Sequence, residues 1–262
     1  MNATATTARA IDLGNGLQVT IDERGGEASA RGTAILLLHG GAGPQSVAGL
    51  AAALGGHARV VTPVHPGFDG TPRPPWLDSA AGLADAYLDL LDALALDAVT
   101  VIGNSIGGWI AAELAALGTV SVARLVVIDG AGLDLAGHPT ADFFSLTFDQ
   151  LAELSYARPD VFRIDPTALP EPARAAMAGN RSSLLTYAGS AMVDPTLASR
   201  LATIAVPTLV VWGDHDRMID VAVGEAFANA IPGARFELLA NTGHLPQLET
   251  PDAVVSVLDG FL

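Results

Sequence analysis

Short, continuous apolar runs alternate along the chain with longer stretches in which apolar residues recur at helical spacing. A continuous apolar run bounded by turn residues favours a strand that is buried on both faces of a parallel sheet. The segments predicted as strands are 17–21, 33–40, 57–63, 97–103, 123–130, 208–214 and 234–240. The segments predicted as helices are 78–94, 106–118, 221–231 and 251–262. This alternation predicts a parallel sheet with helices on both faces.

The segment 133–200 interrupts the alternation. It contains several prolines, short helical patches and aromatic residues, but no convincing strand. A loop of that length without structure of its own is improbable inside a compact domain. We therefore predict a helical insertion above the sheet, in which most aromatic side chains pack within the insertion and one or two face a pocket.

Composition and charge narrow the class of protein. The chain has 262 residues, a formal net charge of -15 and no cysteine. The negative charge argues against nucleic acid and anionic membranes as partners, and the absence of cysteine excludes disulfides and thiolate chemistry. No apolar stretch reaches the length of a membrane span, and the first ten residues lack the apolar core of a signal peptide. We expect a cytoplasmic protein with a small-molecule substrate; the sequence carries no signal for an oligomeric state.

The stretch GNSIG, residues 103–107, places one serine between two glycines directly after a predicted strand and before a predicted helix. A turn this tight forces its central residue into strained backbone geometry and presents the side chain beyond the carboxyl end of the sheet. Ser105 is therefore a candidate nucleophile. The N–H of Ile106, at the start of the helix, is a candidate donor to an anion.

A serine hydroxyl needs a base, and the base needs an acid that orients it. His244 follows the last predicted strand and is the candidate base. Asp214 and Asp216 both lie at the carboxyl end of the strand at 208–214, and Asp129 ends the strand at 123–130. From position alone these three carboxylates remain alternatives for the acid. The loop HGGAGP, residues 39–44, follows another buried strand, so that the Gly41 N–H could complete an oxyanion site with Ile106.

The motifs HGGAGP, HPGFDGTPRP, GNSIGG, GDHDRMID and GHLPQLE, in this order, resemble those of the α/β-hydrolase superfamily. The resemblance implies a mostly parallel sheet of the eight-stranded type, a core domain formed by 1–132 and 201–262, and a helical cap at 133–200. It also implies Asp216 as the acid of the triad, with Asp129 as the fallback. No metal or organic cofactor is expected for ester or amide cleavage by this family.

The serine argues against dehalogenases and epoxide hydrolases of this fold, which use an aspartate at that position. We expect hydrolysis of a small carboxylic ester, of carboxylesterase or lactonase type, with Phe144, Phe68 and Leu245 lining an apolar pocket. The resemblance leaves open a carbon–carbon hydrolase of meta-cleavage products, although Leu245 stands where those enzymes often carry an aromatic residue.

Two functions of other classes also remain open. A ligand receptor could use the same fold without turnover. A nucleotide-dependent oxidoreductase is the weaker alternative, because Ser46 stands where the third glycine of a dinucleotide-binding turn belongs.

Overall fold

A computed structural model of the chain describes residues 7–25 and 34–262. Thr33, the first residue of one predicted strand, lies outside the described residues. The strands are β1 (Thr7–Gly14), β2 (Leu17–Arg24), β3 (Ala34–Leu38), β4 (Arg59–Pro63), β5 (Val99–Asn104), β6 (Val122–Ile128), β7 (Gly132–Leu133), β8 (Val193–Asp194), β9 (Thr208–Gly213) and β10 (Arg235–Leu239). The helices are α1 (Ala48–Leu54), α2 (Ala80–Ala93), α3 (Ile106–Ala116), α4 (Phe148–Ser155), α5 (Pro159–Phe162), α6 (Glu171–Ala188), α7 (Leu197–Leu201), α8 (Val221–Ala230), α9 (Pro246–Glu249) and α10 (Pro251–Asp259).

The main sheet has eight strands in the order β1-β2-β4-β3-β5-β6-β9-β10. β2 pairs antiparallel with β1 and with β4, whereas the pairs from β4 to β10 are parallel. The predicted fold class is therefore confirmed: a mostly parallel eight-stranded sheet covered by helices. The carboxyl ends of the parallel strands share one edge of this sheet, where loops from separate parts of the sequence meet.

The central strands β3, β5 and β9 are buried along their whole length because each face of the sheet packs against helices. On β3, Leu36 and Leu38 belong to the core beneath α2, α3 and α8, whereas Ile35 and Leu37 face the core beneath α1 and α10. Successive side chains of a strand point to opposite faces, so in a strand covered on both sides neither set of side chains faces solvent.

The segment 133–200 contains α4, α5, α6 and all but the last residue of α7, joined by irregular backbone. Its strand content was missed: the two-residue strands β7 and β8 pair in parallel and close its base. α6 packs against the turn at 68–70, and α7 packs on α3 and α8. None of the helices among the described residues is both long enough and apolar enough to cross a bilayer.

Candidate active site

The turn between β5 and α3 holds Ser105 in a conformation that few L-residues adopt, with φ 56° and ψ −121°. A side chain on either flanking glycine would collide with backbone. A Cβ at Gly103 would lie 2.0 Å from the Gly107 carbonyl oxygen, and one at Gly107 would lie 2.4 Å from the Leu38 carbonyl oxygen. Glycine at both positions is therefore a requirement of this strand–turn–helix geometry, which lifts Ser105 to the edge of the sheet.

Ser105, His244 and Asp216 come together from three loops at this edge. His244 Nε2 lies 3.0 Å from Ser105 Oγ, and His244 Nδ1 lies 2.7 Å from Asp216 Oδ2. All three side chains are buried, each exposing less than a tenth of its surface. Asp216 Oδ1 accepts hydrogen bonds from the backbone N–H groups of Met218 at 2.8 Å and Ile219 at 3.0 Å, which fixes the carboxylate toward the imidazole. This arrangement can take a proton from the serine hydroxyl.

The two other candidate acids have different partners. Asp214 Oδ1 contacts His215 Nδ1 at 2.6 Å and accepts from the Thr242 N–H at 3.1 Å, away from His244. Asp129 is fully buried behind Asp216, and its Oδ1 accepts from the Gly213 N–H at 3.0 Å. Burial and the neighbouring Asp216 carboxylate raise the pKa of Asp129 well above its ordinary value.

The backbone donors predicted for an oxyanion lie at the same edge. Gly41 lines the cavity that contains Ser105. Among the described residues, neither the Gly41 N–H nor the Ile106 N–H has a hydrogen-bond acceptor within the protein. A pair of free N–H groups beside a nucleophile, one of them at the start of the 11-residue helix α3, can accept a developing negative charge.

Two buried histidines, which sequence reasoning left unassigned, hold the loop that contains Gly41. The His65 N–H donates to His39 Nε2 at 3.1 Å, and His65 Nε2 contacts the His39 carbonyl oxygen at 2.8 Å. Tyr87 on α2 hydrogen-bonds to His65 Nδ1. Burial lowers the pKa of His39 to about 4 and that of His65 well below its usual value. His39 and His65 are the first residues of the motifs HGGAGP and HPGFDGTPRP, and this position was the signal by which the sequence could have indicated their role.

A cavity of about 230 Å³ lies between Ser105 and the insertion. Leu245 lines it, together with Leu184, Met218 and Phe143. The pocket role predicted for Phe144 and Phe68 needs correction. Phe144 packs edge-on against Phe143, outside the cavity lining, and Phe68 is fully buried against the rings of His39 and His65. Sequence alone could not tell which of two adjacent phenylalanines faces the cavity.

One permanently charged side chain lines this cavity. Arg181 on α6 donates to the Phe143 carbonyl oxygen at 3.0 Å, and its guanidinium lies over the Phe143 and Phe144 rings. No carboxylate pairs with Arg181 within the described ranges 7–25 and 34–262. Asn180 lines the cavity beside it. The part of the cavity wall formed by Asn180 and Arg181 can therefore bind a polar or anionic group.

Glu249 connects the insertion to the loop of His244. Its Oε2 accepts from the N–H groups of Gly243 at 2.6 Å and Ala157 at 3.1 Å, and its Oε1 accepts from the Arg158 N–H at 3.1 Å. The His244 N–H in turn donates to the Ser155 carbonyl oxygen at 2.7 Å. The position of His244 thus depends on contacts with the end of α4 and with the residues that follow it.

Comparison with known proteins gives one family. The sequence model of the alpha/beta hydrolase family matches residues 35–257. Lipase 3 of Moraxella sp. is 29% identical over 233 residues, an alignment that covers 83% of this chain and 73% of the lipase. A 2-hydroxy-6-oxononadienedioate/2-hydroxy-6-oxononatrienedioate hydrolase of Paraburkholderia xenovorans is 29% identical over 191 residues, covering 66% of this chain and 65% of that hydrolase.

A solved structure agrees with this assignment. A membrane phospholipase A, described as a bacterial virulence factor, superimposes with a TM-score of 0.77 at 26% identity, over 97% of this chain and 86% of that chain. The sequence and structure comparisons thus agree over almost the whole length of the chain.

Proposed function

The chain belongs to the alpha/beta hydrolase family, and from that premise we propose that it is a serine hydrolase that cleaves a small carboxylic ester through an acyl-enzyme. The observation that carries the proposal is the continuous hydrogen-bonded series from Ser105 Oγ to His244 Nε2 and from His244 Nδ1 to Asp216 Oδ2. A serine hydroxyl becomes nucleophilic when a histidine oriented by a carboxylate can remove its proton.

In the proposed reaction, Ser105 Oγ attacks the ester carbonyl carbon while His244 Nε2 takes the hydroxyl proton. The tetrahedral oxyanion accepts hydrogen bonds from the N–H groups of Gly41 and Ile106, and its collapse expels the alcohol, protonated by His244. A water molecule, deprotonated by His244, then attacks the acyl-enzyme, and Ser105 leaves with its proton restored. Asp216 stabilises the imidazolium throughout.

The cavity supports a small, largely apolar substrate. Its volume of about 230 Å³ is below the usual range for drug-sized ligand pockets. The segment 133–200 acts in this proposal as a cap, since α4 and α6 supply Leu151 and Leu184 to the cavity wall opposite Ser105. The match to Lipase 3 is consistent with ester cleavage.

The test compares wild type, Ser105→Ala and Asp216→Asn on p-nitrophenyl esters from acetate to octanoate, followed by a fluorophosphonate probe and mass spectrometry. We expect Ser105→Ala to lose at least about a thousandfold in kcat and Asp216→Asn a loss of similar order. Ser256→Ala, an exposed serine on α10, is the matched control and should keep wild-type activity. The probe should add to Ser105 alone.

Other outcomes would change the proposal. If folded wild type turns over no ester and the probe labels nothing, the ligand-receptor alternative replaces hydrolysis. If Asp216→Asn stays active while Asp129→Asn does not, Asp129 is the acid. Asp214→Asn should remain within about twofold of wild type, because its carboxylate contacts His215 and not His244.

Arg181 favours a second candidate, a hydrolase that acts on a substrate with a carboxylate group. A cavity arginine without an acidic partner can bind a carboxylate in a bidentate pair. The similar Paraburkholderia xenovorans enzyme is by its name a hydrolase of a dioate, and carbon–carbon hydrolysis of such a compound is the alternative reaction at Ser105. Arg181→Met should then raise KM for a monoester of a dicarboxylic acid at least about tenfold and leave KM for p-nitrophenyl butyrate near wild type. Equal effects on both substrates would exclude this candidate.

A further inference from the structure

Asp129 is a fully buried carboxyl group that the proposed reaction does not use. It follows β6 with φ 46°, a backbone conformation that costs free energy for a residue other than glycine. Its Oδ1 accepts one hydrogen bond, from the Gly213 N–H. Its Oδ2 is buried and has no hydrogen-bond donor among the described residues. A buried carboxylate oxygen without a donor is rare, so this atom needs an explanation.

The explanation lies in the neighbours of Asp129. One carboxylate oxygen of Asp129, one of Asp216 and a ring nitrogen of His244 lie within 4.8 Å of one another. Two carboxylates this close and this deeply buried cannot both hold a negative charge at neutral pH, so one of them keeps a proton. Glu249, which also faces the pair, adds a further acidic group.

The hydrogen bonds decide which of the two is protonated. Asp216 accepts from His244 Nδ1 and from two backbone N–H groups, all within 3.0 Å. Asp129 accepts from one backbone N–H. Donors to a carboxylate stabilise its charged form, so the negative charge resides on Asp216 and the proton on Asp129.

We propose that Asp129 is a positioning residue, which carries a proton on Oδ2 in the folded protein at neutral pH and donates it as a hydrogen bond to the Asp216 carboxylate. This gives the buried Oδ2 a partner. The direction of the pKa shift agrees, because burial and the Asp216 charge both favour the neutral form of Asp129.

The proposal assigns Asp129 a defined task in the site. The pair carries one negative charge, on the carboxylate that contacts His244 Nδ1, and this charge stabilises the imidazolium during proton transfer. The hydrogen bond also gives Asp216 a fourth donor, besides His244 Nδ1 and the two backbone N–H groups. This part of the inference rests on the proposed function; the protonation of Asp129 does not.

Infrared spectroscopy tests the protonation directly. Protein labelled with ¹³C at the aspartate carboxyl carbon should show, at pH 7, a protonated-carboxyl stretch that shifts with the label. The band should be absent from Asp129→Asn and present in Asp214→Asn, whose carboxylate is held ionised by His215 and the Thr242 N–H. A labelled wild-type spectrum without the band overturns the proposal, and so does a band that persists in folded Asp129→Asn. If Asp129→Asn fails to fold, the absence of the band from wild type would still overturn the proposal.

The pH dependence of kcat/KM tests the positioning role. Because asparagine is neutral and its amide can still donate to Asp216, Asp129→Asn should shift the midpoint of the acid limb by less than about 0.5 unit. If Asp129 were ionised in wild type, the substitution would remove a charge beside His244 and lower that midpoint by about 1 unit or more. Asp129→Val, which cannot donate, should lower kcat with little change in KM. An inactive wild type would contradict the proposed function, but the infrared spectrum would still decide whether Asp129 is protonated.

Discussion

The two glycines around Ser105 show how single atoms decide the local structure of the site. At Gly103 and Gly107 the space that a Cβ would need is occupied by backbone, which cannot move aside as the end of a flexible side chain can. Gly41 is a contrasting case, because a Cβ there would meet the terminal carbon of Leu184 at 2.7 Å, which a rotation could relieve. Glycine is thus required by neighbouring backbone at Gly103 and Gly107, whereas at Gly41 only a movable side chain would meet an added Cβ.

Gly103→Ala should therefore destabilise the protein strongly. The added carbon would lie 2.0 Å from the Gly107 carbonyl oxygen, so the turn must open or the strand must shift. We expect a fall in the free energy of unfolding of about 3 kcal/mol or more, measured by urea denaturation. Gly49→Ala on α1, where no atom lies within 4 Å of the new Cβ, is the control and should be neutral or stabilising by up to about 1 kcal/mol. Equal effects of both substitutions would contradict this account.

Residue types and their positions after predicted strands were enough to select Ser105 and His244, which the structure brings into contact with each other and with Asp216. The choice between acids needed the family resemblance, because Asp214 and Asp216 end the same strand two residues apart. Side-chain direction was beyond the sequence, as Phe68 shows: it lies behind the site, in contact with buried histidines. Hydrogen-bond partners such as the donors to Glu249 depend on contacts distant in sequence and left no local signal.

At the scale of elements, burial on both faces made strands recognisable. β3, β5 and β9 are buried along their length and mostly apolar, and they were predicted within a few residues of their bounds. β1 was missed because it is an edge strand with an exposed face, and its sequence TARAIDLG carries no apolar run. The turn Asn15–Gly16 after β1 was the signal that could have indicated a hairpin.

The buried histidines that join the ends of β3 and β4 to α2 should make stability depend on pH. In the folded protein His39 has a pKa lowered from 6.5 to about 4, and that of His65 is also lowered, so both stay neutral where the unfolded chain binds protons. Each therefore lowers the free energy of unfolding by up to about 1.4 kcal/mol per pH unit as the pH falls below 6.5. Asp129, protonated when folded, acts in the opposite direction by up to the same amount.

The two histidines outweigh the single aspartate, so the net expectation is a loss of about 1 kcal/mol per pH unit between pH 6.5 and about 5. Urea denaturation at several pH values measures this slope. His57→Gln, which removes an exposed histidine, should leave it unchanged. A free energy of unfolding that is flat or rises over this interval would show that the histidines are not held neutral.

At the scale of the whole molecule, the cavity is formed where the insertion meets the sheet edge, and Glu249 is one of the groups that join them. It accepts N–H groups from the insertion and from the loop of His244 with the same carboxylate. A more mobile insertion should therefore also make the loop of His244, the base of the proposed reaction, more mobile. The prediction of helices at 133–200 could not include this link, because Glu249 lies on α9, far along the chain from Ala157 and Arg158.

Glu249→Gln tests this link between the two parts. Glutamine keeps one acceptor oxygen, but its NH₂ group must face at least one N–H that the carboxylate accepts now, which leaves a buried donor unpaired at a cost of about 1–3 kcal/mol. The amides of Ala157, Arg158 and Gly243 should then exchange with deuterium at least about fivefold faster, while the amides of α2 keep wild-type rates. Glu237→Gln on β10 removes a partly exposed carboxylate that pairs with Arg235 at the surface, and it should change none of these exchange rates. If only the amides of Ala157 and Arg158 exchange faster and that of Gly243 is unchanged, the insertion moves independently of the loop that carries His244. If all three amides exchange faster, the Glu249 carboxylate couples opening of the insertion to displacement of His244.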